Sequence, residues 1–125
     1  MLSNYIVAGV VGVMLFFSVA VAPTIFKVLP QEWASAYVRK FFPKYYAVLG
    51  VACLVAGLLA NNMTTKIIIL NCAALFVISL LILTPNINNA RDNNHTKQFN
   101  LLHGLSVLVN MLQLIMLIYC LWLVK

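Results

Sequence analysis

The chain has 125 residues, of which 64% are hydrophobic and 8% charged, with eight Lys and Arg against two acids for a formal net charge of +6. A soluble domain carries about 25% charged residues, so this composition excludes a wetted globular surface, and the length leaves room for one small bundle without a separate soluble domain. No basic stripe or base-reading motif accompanies the positive charge, which excludes nucleic acid; the cations sit at the ends of apolar runs, where anionic lipid headgroups are the expected partner.

The first apolar run covers about 4–28, NYIVAGVVGVMLFFSVAVAPTIFKV. Its SVAVA resembles a signal-peptide cleavage site. No positive residue precedes it, however, its core is too long for an h-region, and Pro23 would follow the scissile bond directly. It reads as a retained helix, kinked near Pro23. Gly9 and Gly12 share one face with Phe16, Pro23 and Lys27, an expected surface for close helix packing.

The next stretch, PQEWASAYVRKFFP at 30–43, places Trp33, Tyr37 and Phe41 at i, i+4 and i+8. Gln31 and Glu32 fall in the first turn and Arg39 and Lys40 near the last, matching the helix dipole. This predicts a short amphipathic helix at about 31–42, lying in the membrane interface. A second span follows at about 44–61, with Tyr46, Gly50, Cys53, Gly57 and Ala60 on one face and Gly50 and Gly57 as packing positions. The loop 61–65, NNMTT, is a tight connection.

The third span, about 66–84, is expected to stop at Pro85, and Asn71 and Ser79 are its candidates for the interior. The segment 85–98, PNINNARDNNHTKQ, reads as a polar loop. The fourth span is about 99–124. Each run is near the ~20 residues that cross about 30 Å of hydrocarbon, and open strands would leave backbone groups unpaired in lipid. The predicted fold is therefore all-α: an integral membrane four-helix bundle with a short interfacial helix between spans one and two. A faint internal echo accompanies it, since span one ends VAPTI and span three ends LTPNI, each before a basic loop and an aromatic start.

The fourth span carries polar residues despite its length and hydropathy. His103, Ser106, Asn110 and Gln113 step by three, four and three, so they fall within about 80° of one another and form one stripe. Polar residues inside a bundle are often helix glue that hydrogen-bonds across helices. A histidine within a span points instead to function.

Orientation follows from the basic residues. The first and third loops share a side and hold Lys27, Arg39, Lys40, Lys44, Arg91 and Lys97, against Lys66 and Lys125 opposite. The positive-inside rule places those loops in the cytoplasm and both termini outside. Aromatic belts are expected from Trp33, Tyr37, Tyr45 and Tyr46 on the inner side and from Tyr5, Tyr119 and Trp122 on the outer. The residues near the inner end then predict a cytoplasm-facing polar pocket framed by Arg39, Arg91, Asp92, His103 and Asn110, with Ser106 and Gln113 continuing the stripe. Its cations outnumber its acids, so an anion or a lipid headgroup is the expected occupant.

No cofactor is expected. A b-type haem takes two axial ligands, and only His103 lies in a span, His95 being in a polar loop. Cys72, Cys120, Met63 and Met116 could line a Cu(I) path, but their spacing shows no cluster. Cys53, Cys72 and Cys120 read as small apolar packing residues, with no disulfide framework. Paired carboxylates, metal-protease, nucleophile-elbow and phosphate-loop motifs are all missing, which argues against an enzyme.

FFSVAVAPTIFKVLP, RKFFPKYY, TPNINNARD and FNLLHGLSVLVNMLQ together resemble the small four-span membrane proteins catalogued as domain of unknown function 4149, related to the eukaryotic transmembrane protein 205. The resemblance covers nearly the whole chain. Its most specific parts are TP-x-I-x-x-x-RD at 84–92 and F-x-x-LH-x-x-S-x-x-x-N at 99–110. It implies a multi-pass protein of the bacterial inner membrane with no reaction attached to the family. The function expected is an accessory, scaffold or binding role, with a second copy of the chain or another membrane protein as partner. The alternatives are an oligomeric transporter or resistance factor for a metal or small cation, and a haem- or quinone-linked redox protein.

Overall fold

The structure is a computed structural model that describes residues 2–123; the last residue of the fourth expected span and Lys125 lie outside the described residues. The chain is an all-α bundle. Among the described residues four helices are long and apolar enough to cross a membrane: α1 (Leu2–Val28), α2 (Gln31–Leu59), α3 (Met63–Asp92) and α4 (Thr96–Leu123). They run up, down, up and down. Each packs on its two neighbours in the square, and α4 returns to α1 to close it. The α2/α3 contact is the most extensive, and the α1/α4 contact the least.

The helices run longer than the sequence alone indicates, because prolines do not end them. Pro23 and Pro85 each sit inside a continuous helix, two residues beyond a π-helical turn, Phe17–Val21 in α1 and Ser79–Leu83 in α3. In these turns the Ala22 N–H bonds the Phe17 carbonyl and the Thr84 N–H the Ser79 carbonyl, five residues back. Proline's ring clashes with the carbonyl four residues back, and the wider turn gives it room. Thr84 Oγ1 also donates to the Ser79 carbonyl at 2.8 Å. Pro85 therefore does not stop span three, and residues 84–92 are helix rather than the expected polar loop.

What remains of that loop is a tight reversal. The His95 N–H bonds the Ala90 carbonyl at 2.9 Å and the Asn94 N–H the Arg91 carbonyl at 3.1 Å, with Asn94 left-handed at φ 58°. This is the Schellman arrangement, with Asn in the position that glycine more often takes. At the other end, the Asn62 side chain accepts from the Thr64 N–H at 2.9 Å and caps α3.

The expected separate interfacial helix is also corrected. Residues 31–42 are the first turns of α2, which passes through Pro43 unbroken. Aromatic packing spans the proline: Phe17 of α1 lies 4.9 Å from the rings of both Phe41 and Tyr45 and 5.5 Å from Phe42. At about 1.5 Å per residue, α2 is roughly 43 Å long, some 13 Å more than the hydrocarbon thickness. In its first turns Trp33 and Tyr37 are exposed and Ala34 is buried.

The hairpin echo extends to the buried positions. Ser3, Val7, Val10, Val11, Met14 and Phe17 are buried on α1, and the residues 62 places later, Thr65, Ile69, Cys72, Ala73, Phe76 and Ser79, are buried on α3. Pro23 and Pro85 keep the same offset. The bundle is two similar hairpins side by side.

Glycines bring helices close at one seam. Gly50 and Gly57 are buried in α2 against α3, where an added Cβ would come within 3.3 Å of Phe76 Cβ and 2.5 Å of Leu70 Cδ2 respectively. Gly9 and Gly12 face outward, with nothing within 4 Å of an added Cβ, so the structure does not bring them into a helix contact. Gly57→Val should therefore destabilise the bundle by about 1–3 kcal/mol through overpacking, whereas Gly12→Val should leave it within about 0.5 kcal/mol. Reversible unfolding in mixed micelles measures the difference.

Candidate functional site

The residues of the expected pocket separate into three groups along α4. Deepest is Gln113, fully buried. Its Nε2 donates to the Cys72 carbonyl at 3.0 Å, and Cys72 Sγ donates to the Gln113 carbonyl at 3.9 Å, so this residue ties α4 to α3. Gln113 Oε1 has no partner among the described residues. Cys53, Cys72 and Cys120 are all free and buried in the same core. Among the described residues no group of three or more His, Cys, Asp or Glu is placed to hold a metal ion.

At the basic end of the bundle lie the charged residues. Arg39 Nη2 donates to Asp92 Oδ1 at 2.6 Å and to the Asn88 carbonyl at 3.1 Å, joining α2 to α3. The pair is largely exposed, so its net contribution is at most about 1 kcal/mol. The Arg91 guanidinium lies over the Phe99 ring, 5.2 Å from its centroid. Phe99 in turn stacks on His103, with centroids 5.8 Å apart and the planes 5° from parallel. Arg39, Arg91 and Asp92 thus bind one another's helices rather than converge on His103. Arg39 and His103 meet only at a cavity of about 50 Å³ between α2, α3 and α4.

Between these groups, at the loosest seam, α1, α2 and α4 enclose a cavity of about 230 Å³. Phe17, Phe42, Tyr45 and Tyr46 form its aromatic wall, and Ser106 and Asn110 supply its polar side. Its rim carries Phe26, His103 and Val107, all exposed, so it opens sideways out of the bundle. Ser106 Oγ donates to the His103 carbonyl of its own helix at 2.8 Å. Tyr45 is buried, yet its hydroxyl has no partner among the described residues, and neither has Asn110 Oδ1. A groove of about 390 Å³ on the outside of the α2/α3 seam is lined almost wholly by apolar side chains such as Leu54, Leu70 and Val77. The polar groups therefore gather on one side of the bundle.

With the geometry in place, comparison with known proteins adds a lineage. The family model described as "Domain of unknown function (DUF4149)" matches residues 6–96. The chain belongs to this family. The match takes in α1, α2 and α3 and ends where α4 begins, so the segment 99–110 lies beyond it. An "Uncharacterized protein" of Aquifex aeolicus (strain VF5) is 34% identical over 104 residues, covering 80% of this chain and 76% of the relative. No solved structure matches.

Tyr45 is the site residue that sequence reasoning misplaces: it is expected in an aromatic belt, but it is 5% exposed and lines the cavity. Tyr46, expected both in the belt and on one face with Gly50, Cys53, Gly57 and Ala60, is buried with that face, 6% exposed. Trp33, Tyr37, Tyr5, Tyr119 and Trp122 are exposed, as belt residues are. The signal for the tyrosines was their register with Leu49, Gly50 and Cys53 on the inner face of α2. An unpartnered buried hydroxyl costs about 1–3 kcal/mol. Tyr45→Phe should accordingly unfold no more easily than the parent and gain up to about 1 kcal/mol, measured by the same micellar unfolding.

Proposed function

We propose that this DUF4149 protein is a small binding protein of the bacterial inner membrane that holds a membrane-borne ligand in the cavity between α1, α2 and α4. One observation carries the reading: a cavity of about 230 Å³ with an aromatic wall of Phe17, Phe42, Tyr45 and Tyr46, and Ser106 and Asn110 on its polar side, opens sideways between α1 and α4. Pockets that bind small molecules are mostly apolar with a few convergent polar groups, and this cavity has that composition. The site offers hydroxyl, amide and imidazole groups to hold a ligand. Asp92 is paired with Arg39, and no carboxylate lines the cavity. These features favour binding over turnover.

Mild purification from native membranes, followed by mass spectrometry of what is extracted, tests the reading. One species should accompany the parent protein and fall at least about tenfold in Val107→Trp, whose indole would cover the cavity mouth. Leu112→Trp, on an exposed face, should retain it. Equal recovery from all three proteins would remove the binding role.

Orientation is part of the proposal. Lys27, Arg39, Lys40, Lys44, Arg91 and Lys97 all belong to the end of the bundle near the cavity, and Lys66 stands at the other. The positive-inside rule puts the cavity end in the cytoplasm. With Cys53, Cys72 and Cys120 replaced by Ala, Asn61→Cys should react with an impermeant maleimide on intact cells, and Asn94→Cys only after permeabilisation. The opposite pattern means that the bundle is inverted.

A further inference from the structure

We propose that Ala22–Val28, the end of α1, is a lateral gate over the cavity, hinged at the Phe17–Val21 turn and latched by His103. The gate goes beyond the binding role above and does not depend on what the cavity holds.

The repeat supplies the first argument. Positions of α1 recur on α3 62 residues later, and positions of α2 recur on α4 64 residues later. In that register Ala22, Pro23 and Phe26 answer to Thr84, Pro85 and Asn88, and Arg39 answers to His103. The end segment of α3, Thr84–Asp92, is well fastened. Thr84 Oγ1 donates to the Ser79 carbonyl at 2.8 Å. Arg39 reaches across from α2 to the Asn88 carbonyl at 3.1 Å and to Asp92 Oδ1 at 2.6 Å. The segment also packs along α4. Its counterpart on α1 is loosely held. Ala22 has no hydroxyl, and Ile25 is the one buried residue of Ala22–Val28. Among the described residues this segment's backbone comes near α2 only briefly and does not come near α4.

The hinge is the second argument. Pro23 has no N–H, and it follows a turn whose hydrogen bonds are already displaced by one residue. The segment therefore joins the rest of α1 where a backbone hydrogen bond is missing. That junction lies on the cavity, which Phe17, Ser18, Ala22 and Phe26 line from this side. Leu29 and Pro30, both extended, connect the segment to α2 and hold its swing to a tilt.

The latch is the third. The Phe26 carbonyl is the counterpart of the Asn88 carbonyl that Arg39 holds. Its helical donor would be residue 30, and Pro30 has no N–H. His103 lines the cavity together with Phe26. Among the described residues the His103 ring stacks on Phe99 and makes no hydrogen bond. An imidazole always has at least one N–H to give. Donated to the Phe26 carbonyl, it would draw the end of α1 onto α4 as Arg39 draws α3 onto α2, and the mouth between Phe26 and Val107 would close. With that bond unmade and both rim residues exposed, the structure is the open form.

The test measures distances between paired spin labels on the full chain in phosphatidylcholine nanodiscs, with Cys53, Cys72 and Cys120 replaced by Ala. Lys27→Cys with Gly104→Cys reports the gate. Asn89→Cys with Lys40→Cys, the same positions in the repeat, reports the fastened end; all four residues are exposed. The gate pair should show a shorter and a longer distance, and the fastened pair a single one. His103→Ala should lower the ratio of shorter to longer by about fivefold, the effect of one net hydrogen bond. His103→Gln, which keeps a donor, should retain the shorter distance, and His103→Arg, which copies Arg39, should enrich it. Arg39→Ala should broaden the fastened pair. A single gate distance overturns the proposal, as do two distances that ignore the His103 variants, or a fastened pair as broad as the gate pair. If the gate fails in this way while an extracted species still depends on Val107, the binding role stands without it; if the gate behaves as expected and extraction is equal in all proteins, the gate stands alone.

Discussion

A backbone in hydrocarbon has no water to bond. Each unpaired N–H or C=O costs several kcal/mol there, and this chain is shaped by that cost more than by side-chain chemistry. Proline ends or kinks most soluble helices, yet α1, α2 and α3 all continue past one. Where room is needed, the chain widens its own turn. The Phe17–Val21 and Ser79–Leu83 turns shift the hydrogen bonds by one residue and keep the carbonyls occupied. Thr84 adds a hydroxyl to the same carbonyl that its N–H already uses. The helices thus continue past their prolines and carry Arg39, Arg91 and Asp92 at the basic end of the bundle.

This same device appears once in each hairpin, and the buried positions of α1 and α3 repeat with it. Two similar hairpins have two equivalent seams, α2 with α3 and α4 with α1. They are unequal because their residues differ. Gly50 and Gly57 let α2 and α3 approach until Phe76 and Leu70 fill the space that side chains would have taken. The glycines of α1 point away from α4, so no such approach occurs there. The looser seam is where the cavity forms.

The class and the helix order were legible from composition and from runs of apolar residues, because a membrane leaves few other folds. The helix ends were not legible. Proline and the Asn-rich stretch at 85–94 argue for termination when read locally, and only the compensating turn beside each proline reverses that. The polar stripe of α4 was legible as a periodicity, but its contents were not. Nothing in the spacing says that Gln113 meets Cys72, or that Arg39 reaches Asp92 across two helices, since both pairings depend on the seam geometry. Tyr45 was misread because tyrosine is common in interfacial belts. Its true position follows from Phe17, whose ring holds Phe41 and Tyr45 together and turns the tyrosine inward.

The asymmetry between the hairpins also accounts for where polarity accumulates. Sixty-four residues separate Leu49 from Gln113, Cys53 from Leu117 and Ala56 from Cys120, all buried, so α2 and α4 present matching positions. In that register α2 carries Phe42, Tyr46 and Leu49 where α4 carries Ser106, Asn110 and Gln113. The aromatic face of α2 can close a core unaided, whereas the polar face of α4 needs partners. Depth decides what it finds. Gln113 lies at mid-bundle against α3, where a backbone carbonyl is within reach, and it becomes a tie between helices. Asn110 lies one turn nearer the basic end, opposite Tyr45, where the α1/α4 seam has begun to open. There Asn110 and Tyr45 both line the cavity, and neither the amide oxygen nor the phenol has a partner among the described residues. One row of residues on one helix thus packs where the bundle is tight and lines a cavity where it is not.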